Sequence, residues 1–139
     1  MKSMDNTKAA LVTGANKGIG YAIAEGLGRL GYTVFVGARD EVRRDDAVEK
    51  LRAADLDAVG VSLDVTSDAS VAAAASVIEE KAGRLDVLIN NAGISGRTES
   101  GAQDPTTLDL GVLHTVLDTN VFGAVRVTNS MPPLLRRAA

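Results

Sequence analysis

The chain has 139 residues, 45% hydrophobic and 24% charged, with 15 basic and 18 acidic residues and a net charge of −3. That length suits one domain, and the weak acidic balance leaves no electrostatic footprint for nucleic acid or an anionic membrane. With no cysteine, disulfides and thiolate metal sites are excluded, and His114 alone builds no metal centre.

From the N-terminus, Met1 to Asn6 lack an apolar signal core, and no run approaches the roughly 20 apolar residues of a membrane helix. A cytoplasmic protein without membrane partners is expected. The run Ala9-Ala10-Leu11-Val12 predicts a first strand over 9–13, and Thr13-Gly14-Ala15-Asn16-Lys17-Gly18-Ile19-Gly20 follows directly as a glycine-studded turn. A buried strand, such a turn and a helix start place backbone N–H groups and the positive end of a helix dipole at one spot, which suits a pyrophosphate. By analogy with the dinucleotide-binding turn, Gly14 would permit the exit from the strand, Gly18 would let phosphates approach the backbone, and Gly20 would let the helix pack closely. The third glycine comes two residues after the second, unlike GxGxxG, and no Ser or Thr follows Lys17, which excludes the usual ATP-hydrolysing P-loop.

A helix is expected over 18–30, with Ile19, Ile23, Leu27 and Leu30 on its inner stripe and Gly31 ending it. A second strand over 32–37 leads to a charged, mostly solvated helix over 42–54. A third strand, 57–63, precedes an Ala-rich helix over 67–82 capped by Thr66 or Ser67 and closed by Gly83. A fourth strand is expected over 85–90. Between Gly93 and Asp109 the polar, Gly- and Pro-bearing sequence predicts a mobile loop, and 109–137 predicts a long helix, broken or bent near Asn120–Gly123 and Pro132-Pro133. Alternating strands and helices give an α/β chain with a parallel sheet covered on both faces. Right-handed crossovers order it 3-2-1-4, as in the first half of a doubly wound, Rossmann-like, three-layer α/β/α fold.

The TGxxxGxG spacing at Thr13–Gly20, followed by Leu63-Asp64-Val65, Asn90-Asn91-Ala92-Gly93 and Thr119-Asn120 in order, resembles the short-chain dehydrogenase/reductase family over about Lys8 to Arg137. The resemblance implies that Gly14, Asn16, Lys17, Gly18, Ile19 and Gly20 hold a dinucleotide, with Ile19 packing under it. Asp64 and Val65 would face the adenine, although Asp64 reads alternatively as a helix cap. Asn91, Ala92 and Gly93 would pass beside the adenosine ribose and nicotinamide while also shaping the sheet end. Members using NAD place an acid where this chain has Ala38; here Arg39 follows at once, and Lys17 with Arg39 can converge on a 2′-phosphate, with Arg43 a third candidate. The expected cofactor is therefore NADP(H). Asn120 matches a member of the family's catalytic set, anchoring a proton-relay water; its alternative is a structural asparagine at a helix bend.

The family's proton chemistry uses a Tyr with a Lys four positions later, after a serine. Tyr21 is followed at that distance by Glu25 and Tyr32 by Val36, so the chain contains no such pair. Residues 1–139 are accordingly read as one NADP-binding domain that stops before the catalytic Ser and Tyr-x-x-x-Lys, inactive by itself. The implied parent activity is hydride transfer between nicotinamide and a carbonyl or alcohol carbon, resembling carbonyl-reductase-type members acting on ketones, aldehydes or quinones. The alternative is a non-catalytic NADP-binding module or redox sensor. The expected partner is a small carbonyl or alcohol substrate, and the apolar fourth strand calls for another strand at its edge, from further polypeptide or from a second copy in a homo-oligomer.

Overall fold

The computed structural model describes residues 7–96 and 104–138. Four parallel strands, β1 (Ala9–Thr13), β2 (Thr33–Ala38), β3 (Ala58–Ser62) and β4 (Val87–Ile89), form a sheet in the order β3-β2-β1-β4. This is the predicted topology. β1 pairs with β2 from Ala9–Thr33 to Thr13–Gly37 and with β4 from Ala10–Val87 to Val12–Ile89. The β1–β4 register is pinned at its lower end by Asp86, whose backbone N–H donates to the Ala9 carbonyl (2.8 Å) and whose Oδ2 accepts from the Ala9 N–H (2.8 Å).

Side chains alternate across the sheet, as strand geometry requires. Leu11, Phe35 and Val61 point to one face, where Val71 and Ile78 of α3 (Asp68–Lys81) and Val127 of α5 (Gly123–Ser130) complete a core. Val12, Val34 and Val36 point to the other, against α1 (Gly18–Arg29) and α2 (Glu41–Ala53). The two covered faces make the three layers.

Several expectations are refined. The inner face of α1 runs through buried Gly20 and Ala24 rather than the larger aliphatic stripe: Ile23 and Leu27 pack only partly, while Ile19 and Leu30 are 76% and 77% exposed. Small residues bring this helix down onto the sheet, and a larger stripe would hold it away. The charged α2 starts at Glu41 because the Asp40 carboxylate accepts from the Arg43 N–H (3.0 Å), and it does bury Ala47, Val48 and Leu51. Of the two candidate caps for α3, Ser67 is the one used, accepting from the Ser70 N–H at 3.1 Å. β4 is shorter than expected, since Leu85 leaves the ladder to donate its N–H to the Leu134 carbonyl (3.1 Å) and, among the described residues, the strand pairs only with β1. The long C-terminal helix is divided as its Asn and Pro residues suggest: α4 (Leu110–Leu117), a π-helical turn (Asp118–Phe122), α5, and after a break at Met131 the single turn α6 (Pro132–Leu135). Of the loop expected to be mobile between Gly93 and Asp109, residues 97–103 lie outside the described residues; from Asp104 the chain makes a turn held by Thr106, whose N–H and hydroxyl both donate to Asp104 Oδ1.

Candidate functional site

The carboxyl ends of β1, β2 and β4 open onto a cleft of about 1270 Å³. β1 enters it through a turn that only glycine can make in two places. Gly14 has φ +63°, and a Cβ there would sit 2.9 Å from Ala92 Cα. At Gly20 a Cβ would collide with the Gly14 carbonyl oxygen and the Asn91 side-chain amide. Gly18, at φ +58°, faces open space. The first and third glycines thus let β1, α1 and the end of β4 converge, while the second leaves room over the backbone. Ala15 N–H ties the turn to β2 through the Gly37 carbonyl (3.1 Å).

Thr13, which the sequence places only as the start of the phosphate-binding turn, fastens this junction. Its buried hydroxyl oxygen accepts from the N–H groups of Asn91 (3.0 Å) and Ala92 (2.9 Å), and Asn91 Nδ2 donates to the Gly14 carbonyl (3.2 Å). The Asn91–Gly93 segment is thereby held against the glycine turn.

The N-terminus of α1 differs from those of α2, α3 and α4. Asp40, Ser67 and Asp109 cap the latter three, whereas α1 has no side-chain cap and no acid in its first turn. Its N–H groups and the positive end of its dipole are presented to the cleft, the environment an anion requires. Asn16, Lys17 and exposed Ile19 line the same opening. Across it, Arg39 leaves the end of β2. Among the described residues the side chains of Lys17 and Arg39 make no hydrogen bond or ion pair, so two cations flank one space with their donors unused. Arg43 also borders the cleft but faces Asp40, with Nε 3.8 Å from Oδ2.

Asp64 and Val65 form the next wall. Asp64 Oδ1 accepts from the Thr66 N–H (3.0 Å) and hydroxyl (2.7 Å) and does not cap α3. Those two bonds hold its carboxyl below the ordinary carboxylate range, burial opposes them, and the charges of Arg39 and Arg126 add to the lowering. Asp64 is thus an anion whose Oδ2 has no hydrogen-bond partner among the described residues.

Gly14, Asn16, Lys17, Gly18, Ile19 and Gly20 from β1–α1, Arg39 and Arg43 from β2–α2, Asp64 and Val65 after β3, and Asn91, Ala92 and Gly93 after β4 all line this single cleft. Asn120 does not. It lies in the π-helical turn with both ends of its amide engaged: Oδ1 accepts from the Ile94 N–H (2.8 Å) and Nδ2 donates to the Ile94 carbonyl (2.9 Å). This pairing holds the segment after Gly93 against the helix, and the widened turn aims the side chain there. The helix supplies a wall that the sequence reading missed, from His114, Asp118 and Phe122, whose i, i+4, i+8 spacing becomes meaningful only once the helix is seen to cross the cleft. Tyr21 and Tyr32 pack on the core under α1 and α2 and reach no part of the cleft, so no tyrosine is placed for proton transfer.

The sequence pattern of the family described as short chain dehydrogenase matches residues 8–139. Among curated relatives, Short-chain dehydrogenase anuI of Penicillium roqueforti is 38% identical over 128 residues, covering 91% of this chain and 49% of the relative. Carbonyl reductase (NADPH) 3 of Mus musculus is 38% identical over 131 residues, covering 94% of this chain and 46% of the relative. The chain therefore spans about half the length of the curated relatives it matches. Among solved structures, an actinorhodin polyketide ketoreductase variant with NADPH superposes with a TM-score of 0.83 at 38% identity, covering 94% of this chain and 48% of that one. A Pseudomonas aeruginosa RhlG/NADP active-site complex gives 0.85 at 33% identity, covering 98% and 51%. The glycine turn, the sheet order and these likenesses converge, and the chain belongs to the short-chain dehydrogenase family.

Proposed function

We propose that these residues form the cofactor-binding portion of an NADP(H)-dependent oxidoreductase that acts between a carbonyl and an alcohol. The observation that carries this reading is the pair of cations, Lys17 and Arg39, whose side chains make no hydrogen bond or ion pair among the described residues and which line a cleft that also holds an uncapped helix N-terminus. NADP(H) carries two groups of anionic charge, a pyrophosphate and a 2′-phosphate, and the cleft offers a place for each. The α1 N–H groups, approached over Gly18, suit the pyrophosphate. The guanidinium and ammonium suit the 2′-phosphate by charge-assisted hydrogen bonds, while the absence of an acid at Ala38 removes the acceptor that a free ribose hydroxyl would need. Asp64 and Val65 would border the adenine, and exposed Ile19 would gain burial under the dinucleotide. The relatives with NADPH in their names and the structures with NADP or NADPH support the same assignment.

When bound, the nicotinamide supplies or accepts the hydride. The chain's own residues bind and orient: Thr13 and Asn120 hold the segment from Asn91 to Ile94 in place. The proton donor is assigned to a Tyr-x-x-x-Lys pair outside these 139 residues, because none occurs within them. The subclass reading, reduction of ketones, aldehydes or quinones, rests on likeness to carbonyl reductases and ketoreductases. The test is NADPH oxidation with a panel of simple ketones, aldehydes and quinones, run on the gene product and on the isolated 139-residue polypeptide. Turnover by the former alone is expected. Turnover by the isolated polypeptide would refute the assignment of the proton donor, and NADPH binding without turnover by either would favour a non-catalytic module.

A further inference from the structure

The turn from Asp64 to Thr66 is shaped locally but positioned from a distance. Its internal form comes from the Thr66 bonds to Asp64 and from Ser70 Oγ, which accepts the Asp64 N–H at 2.8 Å. None of these contacts sets where the turn stands relative to the helix that forms the adjoining wall. That relation comes from α5. At Gly123 a Cβ would lie 2.7 Å from Val65 Cγ2, so the first residue of α5 sits directly on Val65. One turn on, Arg126 donates from Nη1 to the Val65 carbonyl (2.7 Å) and from Nε to Asp68 Oδ1 (2.6 Å), with Nη2 3.9 Å from Asp118 Oδ1. Asp118 belongs to the π-helical turn and lines the cleft. A single guanidinium therefore ties the β3–α3 turn to the helical wall beside it.

We infer that Arg126 is a positioning residue that fixes the Val65 backbone at the adenine end of the cleft, through the carbonyl of Val65 and the carboxylates of Asp68 and Asp118. The ion pair with Asp68 contributes little by itself, since that carboxylate is 91% exposed. The bond to the Val65 carbonyl is the contact that matters, because it fixes the backbone presented to the ligand, and guanidinium's fork is what allows the contacts to be made together. A lysine ammonium is a compact point charge on a shorter reach and does not reproduce that fork. Gly123 allows the close approach, and Arg126 then holds it in register.

The inference rests on the cofactor reading above, and the experiment separates the two. Adenosine 2′,5′-bisphosphate, which fills only the adenine end, and NADPH are titrated into the gene product and into its Arg126→Met, Arg126→Lys and Asp68→Ala variants, with melting temperatures and NADPH kinetics measured on the same samples. Arg126→Met is expected to weaken both ligands by the same factor, about tenfold, the effect of losing one charged hydrogen-bonding anchor. KM for NADPH should rise while kcat at saturation holds, and Arg126→Lys should recover part of the loss. Asp68→Ala, on the exposed side and suited to folding if Arg126→Met does not, should weaken the bisphosphate by no more than about fivefold. Unchanged bisphosphate affinity in folded Arg126→Met or Arg126→Lys protein, with only the melting temperature lowered, overturns the inference and leaves the cofactor reading standing. Failure of the unsubstituted protein to bind either ligand overturns both.

Discussion

Replacing Arg39 by alanine separates recognition of a 2′-phosphate from support of the fold. Arg39 is exposed at the end of β2 and makes no hydrogen bond or ion pair among the described residues, so its removal should change stability by no more than about 0.5 kcal/mol, the ordinary range for such surface sites. It does contribute to the low pKa of Asp64, but behind the two Thr66 bonds, so Asp64 stays ionised at neutral pH in the variant. A hydrogen bond to a charged group contributes roughly 1.5–3 kcal/mol. Losing it should weaken NADPH about one to two orders of magnitude. NADH, which has no 2′-phosphate, should be nearly unaffected. Fluorescence titration of both cofactors with the unsubstituted protein and Arg39→Ala, at one fixed salt concentration because the effect is screened, measures the ratio directly. Equal weakening of both cofactors would show that the arginine supports the adenosine in general and would remove the main argument for NADP. Ala38→Asp is a less clean probe: Ala38 is 4% exposed, so the new carboxylate would bear a desolvation penalty as well as repelling the phosphate.

Gly20→Ala should destabilise by about 1–3 kcal/mol in urea unfolding, since its Cβ meets the Gly14 carbonyl and Asn91 with no room to move, whereas Gly18→Ala should lose only about 1–2 kcal/mol of backbone strain and show its larger effect on cofactor affinity. Thr13→Val keeps shape but leaves the Asn91 and Ala92 N–H groups without their acceptor, at about 1–3 kcal/mol each, and Thr13→Ser should restore most of the loss in thermal melts. Because the Asp64 carboxyl is held below its unfolded value, it adds stability above about pH 4 that disappears as pH falls through the lowered folded value. Thr66→Val removes the largest cause of that lowering, so the stability gap between the unsubstituted protein and the variant should be full at neutral pH and close in acid; a gap that persists unchanged to low pH would refute it.

The four strands, their order and the location of the cleft were legible in the sequence because they depend on local pattern: apolar runs of strand length, glycines where the backbone must cross φ > 0, and the handedness of the crossovers. The residues of the Thr13–Gly20 turn, Arg39, Arg43, Asp64, Val65 and Asn91–Gly93 come together for the same reason, since every one lies at or just beyond the carboxyl end of a strand. What depended on contacts between distant segments was not legible. Thr13 reads as the first letter of a glycine motif, yet its hydroxyl is the acceptor that holds the end of β4, 78 and 79 residues away. Asp64 reads as a ligand or a cap, and only the fold shows its carboxylate bonded to Thr66. Asn120 reads as a relay residue or a structural asparagine at a helix bend, and only the fold shows both ends of its amide bonded to Ile94. Arg126 carries no motif at all. Its importance arises where α5 crosses the β3–α3 turn, and that crossing is set by how helices pack on a sheet face, a property of the assembled layers that no single segment encodes.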